Sequence, residues 1–250
     1  MKLQIRRLIK PKRGFSHILH LLITGLIPAL VYVLIRIHFV QLAVAVVLLS
    51  KWRMFAVKPR FWPANIRANA VDIIIGISTL VFMTHTSNTN LQLLFTFLYI
   101  GWQLLLKPSR TVVGVSLQAL VGQMYGLTAL FIGWPDAPAI VLIVGGWSVC
   151  YLVSRHYFTS YDEPYAPLYS HTWAYFAAAL LWLSSHWLIF YSVVAQPALL
   201  LTAIGFGFGS LYYLHETDRL SVFYRREIVI MMVFVILIVL IASDWGDKTI

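Results

Sequence analysis

The chain is short of charged residues. Only 11% of its 250 residues are Asp, Glu, Lys or Arg, and only 9 are acidic. Soluble globular domains carry roughly 25% charged residues and about 45–50% apolar ones. Here 60% of the residues are hydrophobic and the mean hydropathy is +0.80. Because charged side chains are too few to cover a water-exposed surface, the composition predicts a chain solvated largely by lipid.

Cysteine is almost absent, since Cys150 is the only one in the sequence. A single cysteine excludes a disulfide within the chain and any metal site built from a cysteine pair. The sequence also lacks a His-Glu-x-x-His motif, which excludes the ligand spacing of a common class of zinc enzymes. Neither a cofactor nor a metal is predicted from these observations.

Long apolar runs take the place of the missing charges. A helix needs about 20 apolar residues to cross the hydrocarbon core of a bilayer, and nine runs approach or reach this length. The runs lie at about 15–35, 37–50, 70–84, 91–106, 111–132, 138–153, 172–194, 197–213 and 228–243. We therefore predict an all-α, polytopic transmembrane bundle of about nine helices, or of seven if the first two runs form a re-entrant hairpin.

The cations are distributed unevenly between the two ends of these runs. If all nine runs cross and the N-terminus is cytoplasmic, every Lys and Arg except Arg36 and Lys248 lies on the cytoplasmic side. The positive-inside rule predicts this asymmetry, so we expect the N-terminus inside and the C-terminus outside. The net charge of +10 then follows from membrane orientation, and we predict no nucleic-acid partner.

The predicted organisation is a single domain with short ends. Residues 1–14 form a basic amphipathic cytoplasmic segment, residues 15–243 the transmembrane domain, and residues 244–250 an external tail. The first apolar run is longer than the roughly 7–15 residues of a secretory signal, so we expect it to remain as the first helix. This pattern predicts a multi-pass protein of a cell membrane, and we expect the bacterial inner membrane.

Residues 51–69 interleave cations with large aromatic side chains. In a soluble protein this pattern would suggest nucleic-acid binding, but beside cytoplasmic helix ends anionic lipid headgroups are the nearer partner. Each Lys or Arg close to such a membrane surface contributes about 1 kcal/mol to binding. We predict headgroup contacts for Lys51, Arg53, Lys58, Arg60 and Arg67.

A few residues within the predicted spans are candidates for a solute path. His186 and His20 are ionisable, and such groups are costly inside a bilayer unless they serve a purpose. Gly205 and Gly209 have the spacing of a close helix contact, and their segment has the composition of helices that unwind to line a site. A permease or binding protein for a small or lipidic solute would use these four residues.

Two predicted cytoplasmic segments, 154–171 and 214–227, collect histidines and acids on one membrane face. Imidazole and carboxylate groups suit metal binding and acid–base chemistry. Asp72, by contrast, lies at a helix start, where the helix dipole favours an acid. An enzyme acting on a lipid, such as a lipid phosphate, would use the histidines and acids of the two cytoplasmic segments as its catalytic pool. These are His156, Asp162, Glu163, His171, His215, Glu216 and Asp218.

Three functional classes therefore stay open. A permease-like or solute-binding protein is the first hypothesis and a membrane enzyme the second. A structural subunit, which would show the same composition, is the third. Lys51 and Lys58-Pro59 look like the first motif of lipid-phosphate phosphatases, but Pro108-Ser109-Arg110 lacks the Gly-His of their second motif.

Overall fold

The fold is all-helical, as the apolar runs predict. A computed structural model describes residues 15–185, 189–191 and 193–243, without the side chains of residues 15–21, Arg53 and Phe190. This part of the chain contains ten α-helices. They are α1 (Phe15–Arg36), α2 (Val40–Leu49), α3 (Trp62–Ala68), α4 (Ala70–Thr84), α5 (Thr89–Gly101), α6 (Val112–Gly133), α7 (Ala139–Thr159), α8 (Ala166–Ser184), α9 (Gln196–Glu216) and α10 (Val222–Ile241).

Every predicted apolar run overlaps a helix, but fewer of the described segments are long and apolar enough to cross a membrane. Among the described residues four qualify, namely Thr89–Leu106, α6, α7 and α9. A fifth is obtained if Pro59–Ala68 and α4, which meet at an angle of 65°, form one broken span. The structure therefore has four to five candidate membrane-spanning helices, and the count of nine stays a prediction.

Leu22–Arg36 of α1 and α2 are further apolar segments, which are shorter within the residues whose side chains are described. Only ten residues form α2, and α10 has Arg225, Arg226 and Glu227 near its start. Large apolar side chains nevertheless cover the outside of the molecule, with exposed fractions of 67% for Phe97 and 68% for Leu105. Soluble monomers rarely expose such extensive apolar surface, so the outer surface fits a lipid environment.

The prediction of one helix over the run 172–194 is wrong in its bounds. The helix begins earlier, at Ala166, and ends at Ser184, and a short hairpin of β1 (Phe190–Tyr191) and β2 (Val194–Ala195) follows. The hydroxyl of Tyr191 donates to the carbonyl of Val239 at 2.8 Å. This bond holds the hairpin against the end of α10, a tertiary contact that apolar composition does not reveal.

Three apolar clusters hold the helices together. One joins α6, α7 and α8 to the start of α9 and includes Leu127 and Leu181. A second lies between α4, α6 and α7 around Val71 and Val153, and a third joins α1, α2 and α4. In contrast, α10 packs chiefly against α9 and buries only Val239 among its described residues.

A glycine lets α6 approach α4 closely. A Cβ atom at Gly122 would lie 2.8 Å from Cγ1 of Val71, which is shorter than a van der Waals contact. Small residues are the usual means of bringing membrane helices together. The π-helical turn Trp102–Leu106 also packs against α6, and its Trp102 belongs to the same apolar cluster as Val71 of α4.

Candidate functional site

A cavity of about 1010 Å³ lies between α6, α7, α8, α9 and α10. One end of the cavity, which we call its mouth, lies near the starts of α6 and α8 and the ends of α7 and α9, and it is lined there by Val113, Phe158, Tyr169 and Leu214. It extends along α6 as far as Gln123. Because a helix rises 1.5 Å per residue, the wall from Val113 to Gln123 is about 15 Å long.

The cavity wall is uncharged, since none of the described residues that line it is Asp, Glu, Lys or Arg. Several hydroxyl groups in the wall bond to their own helix. Ser116 donates to the carbonyl of Val112 at 2.9 Å, and Thr172 donates to that of Leu168 at 3.0 Å. Such internal bonds occupy the hydroxyl hydrogens, so the wall is more apolar than its composition suggests.

A glutamine closes the inner end of the cavity. The Nε2 of Gln123 donates to the Leu201 carbonyl at 2.8 Å, and its Oε1 accepts a bond from Nε1 of Trp173 at 3.2 Å. These bonds connect α6, α9 and α8 and use both ends of the amide. A Cβ atom at Gly205 would lie only 2.8 Å from this amide nitrogen, so Gly205 provides the space for the bridge.

Aromatic side chains surround the mouth of the cavity. Tyr157, Phe158 and Tyr212 pack edge to face, with centroid distances of 5.2–6.0 Å. The hydroxyl of Tyr157 donates to the carbonyl of Gly209 at 2.6 Å, while that of Tyr212 donates to Oε2 of Glu163. Tyr212 of this aromatic rim therefore binds the carboxylate of Glu163, which lies beside the cavity and is not among its lining residues.

The predicted solute-path residues have different positions. Gly205 and Gly209 both line the cavity. His186 lies outside the described residues. His20 lies in α1, which contributes no residue to the cavity wall described here, and its side chain is likewise outside the described part.

The residues of the predicted catalytic pool have different surroundings, although Glu163 and Glu216 both lie near Tyr212. His156 bonds through Nε2 to Oε1 of Gln118 at 2.9 Å, and His171 packs against the ring of Tyr151 at 4.6 Å. Asp162 and Asp218 lie in turns with positive φ, and His215 and Glu216 lie at the exposed end of α9. Among the described residues, no three His, Cys, Asp or Glu side chains are placed to hold a metal ion.

A buried ion-pair group at the start of α4 was not predicted from the sequence. The Oδ2 atom of Asp72 accepts from the ammonium groups of both Lys51 and Lys107, the latter at 2.7 Å. Its Oδ1 atom accepts from Nε1 of Trp102 at 3.0 Å and from Nε2 of Gln103 at 3.3 Å. Asp72 thus binds side chains from two other segments, in addition to lying where the helix dipole favours an acid.

The π-helical turn supplies two of these donors. Trp102 and Gln103 are adjacent residues, yet both reach the same carboxylate oxygen. The wider turn of a π-helix, which is frequent at functional sites, contains both residues. Gln103 also accepts from the ammonium of Lys107 at 3.0 Å, so one amide connects the acid to the outer lysine.

The residues predicted to contact anionic headgroups divide into two groups. Lys58, Arg60 and Arg67 are exposed, and the guanidinium of Arg60 lies 4.5 Å from the ring centroid of Phe61. The side chain of Arg53 lies outside the described part. Lys51 does not belong to the exposed group, because its side chain is only 5% exposed and is paired with Asp72.

Burial also changes the acidity of this lysine. Removal from water lowers the pKa of the Lys51 ammonium to about 8, although the adjacent Asp72 carboxylate raises it. The positive charge of Lys107 adds to the lowering. Lys51 is therefore a buried cation whose charged state depends on a single carboxylate.

No protein-family model matches the chain, and no curated protein or solved structure is significantly similar to it. The fold and the cavity define a helical protein with several apolar helices of membrane-spanning length. Its function must therefore be inferred from the chemistry of its own residues.

Proposed function

We propose that this protein is a multi-pass membrane protein that binds a neutral lipidic solute in the cavity between α6 and α10, as a permease or carrier does. One observation carries the proposal, namely a volume of about 1010 Å³ with no charged side chain among the described lining residues. Ligand pockets usually measure roughly 300–1,000 Å³ and are mostly apolar. This cavity is large enough for a long hydrocarbon chain.

The absence of charge from the described wall favours a neutral solute. Burying an unpaired charge in an apolar site is very costly, and this wall offers no counter-ion. The bonds of Ser116 and Thr172 to their own helices leave few free donors. An acyl or isoprenyl chain suits such a wall, because burial of apolar surface contributes about 25 cal/mol per Å².

The mouth supports a polar end group without a negative charge. Glu163 accepts from Tyr212 and, at 3.2 Å, from the backbone N–H of Tyr165. A hydroxyl on the solute can donate to the same carboxylate, whereas a phosphate or carboxylate would be repelled by it. We therefore favour an uncharged long-chain alcohol or a comparable neutral lipid.

The helix α10 supplies a lateral wall that borders few other elements. It contributes Met232 and Ile236 to the cavity lining and packs chiefly against α9. Segments with few packing contacts open at low free-energy cost. Movement of α10 away from α9 would therefore admit a lipid from the bilayer, as a permease or carrier for such a solute requires.

Our proposed topology places the mouth on the cytoplasmic side, with nine crossings and the N-terminus inside. The distribution of cations supports it. Single cysteines at Thr86 and Ser160, in a Cys150→Ser background, test this topology by labelling with a membrane-impermeant thiol reagent. Cys150 is fully buried, so the native cysteine itself is expected to react little with the reagent. We expect the cysteine at position 86 to be labelled from outside and the cysteine at position 160 not to be. Labelling of both positions from the same side would contradict the topology.

A plugged cavity tests the binding function. Thr172→Trp places an indole in the cavity, whereas Ser148→Trp places one on α7 away from the described lining. The two side chains are matched, because each hydroxyl bonds to a carbonyl of its own helix. Neutral lipids retained by each purified variant are extracted and measured by mass spectrometry.

We expect the Thr172→Trp variant to lose most of a neutral lipid that the native protein and the Ser148→Trp variant retain. Equal retention by all three proteins would refute binding in this cavity. Absence of any enriched neutral lipid from the native protein, purified in a mild detergent and again in nanodiscs, would also refute it.

A further inference from the structure

We propose that Lys107, together with Lys51, forms a binding site for a phosphate oxyanion at the edge of the Asp72 cluster. This site shares no described residue with the cavity and does not depend on the proposed function. It is also distinct from the exposed cations of residues 58–67. The ligand is either the phosphate of a lipid headgroup or free phosphate, which present the same oxygen atoms.

The charge balance of the cluster leaves it positive. Two ammonium groups, those of Lys51 and Lys107, contact a single carboxylate oxygen of Asp72. The second oxygen of Asp72 is occupied by the N–H groups of Trp102 and Gln103. No acid other than Asp72 pairs with either lysine in the part of the chain that the structure describes.

The two lysines also retain hydrogen-bond donors. Each ammonium has three N–H groups. Among the described residues, Lys107 donates to Asp72 and to Gln103, and Lys51 donates to Asp72. Because both ammonium groups contact the same oxygen, an oxyanion that accepts from both would bridge them and relieve their repulsion.

The cluster is accessible on one side. The side chain of Lys107 is 38% exposed, whereas those of Lys51 and Asp72 are 5% and 8% exposed. An anion can therefore approach through Lys107 and use the buried charge of Lys51 behind it. Partial burial strengthens this attraction, since charges interact more strongly away from bulk water.

The chemistry of the donors favours phosphate. Lysine binds phosphate as a compact point charge with several donors, and a dianionic ligand best compensates two ammonium groups that share one acid. Next to Lys107 the chain continues as Pro108-Ser109-Arg110, whose exposed Arg110 adds a further cation. An anionic ligand of this class matches the excess charge of the cluster, and a neutral one does not.

The test compares thermal unfolding of the purified full chain with and without two phosphate sources. Inorganic phosphate is added to protein in nanodiscs of phosphatidylcholine, with sodium chloride at equal ionic strength as reference. Phosphatidic acid is added separately as a component of the nanodisc. A ligand that binds only the folded state raises the unfolding temperature, and we expect a shift of about 2–4 °C.

Three variants make the test specific. Lys107→Gln leaves the Lys51–Asp72 pair in place, so it is expected to fold and to lose most of the shift. Lys107→Arg keeps the charge and is expected to retain the shift. Arg219→Gln removes an exposed cation at the end of α9 and is expected to behave as the native protein.

The source of the phosphate follows from the pattern of shifts. A shift with both additions supports a site open to either source, and a shift with phosphatidic acid alone supports a lipid headgroup. A shift with inorganic phosphate alone supports free phosphate. Absence of a shift with both sources overturns the proposal, as does an undiminished shift in Lys107→Gln. Loss of neutral-lipid binding would not affect these results.

Discussion

The indole Nε1 of Trp173 donates to Oε1 of Gln123 across 3.2 Å and so joins α8 to α6 at the inner end of the cavity. The same amide donates to the carbonyl of Leu201, which adds α9 to the junction. Three of the five helices around the cavity thus meet at a single side chain.

Replacement of this glutamine is predicted to destabilise the bundle. The Gln123→Leu variant leaves the Trp173 N–H without its partner and removes the side-chain bond to the Leu201 carbonyl, which still accepts within α9. Each unsatisfied buried group costs about 1–3 kcal/mol, so we expect a loss of that order in the free energy of unfolding. Chemical unfolding in detergent measures it, and Gln41→Leu, at an exposed position of α2, should change it by less than about 0.5 kcal/mol.

The two cavity glycines are predicted to respond differently to the same substitution. An added Cβ at Gly205 meets the Gln123 amide at 2.8 Å, whereas one at Gly209 meets only Tyr157, at 3.8 Å. We expect Gly205→Ala to cost about 1–3 kcal/mol by overpacking and Gly209→Ala to be nearly neutral. Thermal unfolding of both variants is the measurement, and a larger loss in Gly209→Ala would contradict the structure.

Loss of the buried carboxylate at position 72 is predicted to be severe. Asp72→Asn leaves the Lys51 and Lys107 ammonium groups adjacent and without a counter-ion. Removal of one partner from a buried ion pair typically costs about 3–5 kcal/mol, and we expect an effect of that size. Adding Lys51→Met should recover part of the loss, because it removes the more buried cation.

A double-mutant cycle with urea unfolding quantifies this coupling. If the effects of Asp72→Asn and Lys51→Met simply add, the two side chains do not depend on each other. That outcome would contradict the ion pair described above.

The pKa of Lys51 predicts the pH dependence of phosphate binding. This pKa is lowered to about 8 by burial, so the ammonium is charged below that pH and becomes neutral above it. An anion binds the charged form, so the phosphate-induced shift in unfolding temperature should be largest near about pH 7 and decrease by about pH 9.5. In the Lys51→Met variant the phosphate-induced shift should no longer decrease over this pH range. If the shift decreases as it does in the native protein, the titrating group is not Lys51.

The helices were predictable because of their apolar composition, and their contacts were not. A membrane-spanning backbone must satisfy its hydrogen bonds within a segment, so apolar runs such as 111–132 predict helices such as α6 directly. The hairpin after α8 is held instead by contacts such as the bond between Tyr191 and Val239, which joins residues far apart in the sequence. The same limit applies to the number of crossings, which depends on tilt and packing.

The candidate site was predictable only in part. The spacing of Gly205 and Gly209 indicates a close approach, and both residues line the cavity. The cavity itself is formed by five helices, each of which is merely apolar in sequence. The pairing of Asp72 with Lys51 spans 21 residues and was not predictable, because an acid at a helix start is explained equally well by the helix dipole.

Photo-crosslinking with a neutral long-chain alcohol that carries a diazirine on its chain tests the central claim most directly. The protein is labelled in membranes, and the modified residues are mapped by mass spectrometry. We expect labelling of cavity residues such as Leu120, Ile204 and Met232, and this labelling should be suppressed in Thr172→Trp and retained in Ser148→Trp. Labelling spread over outward-facing residues such as Phe97 and Leu105, and unchanged by Thr172→Trp, would contradict it.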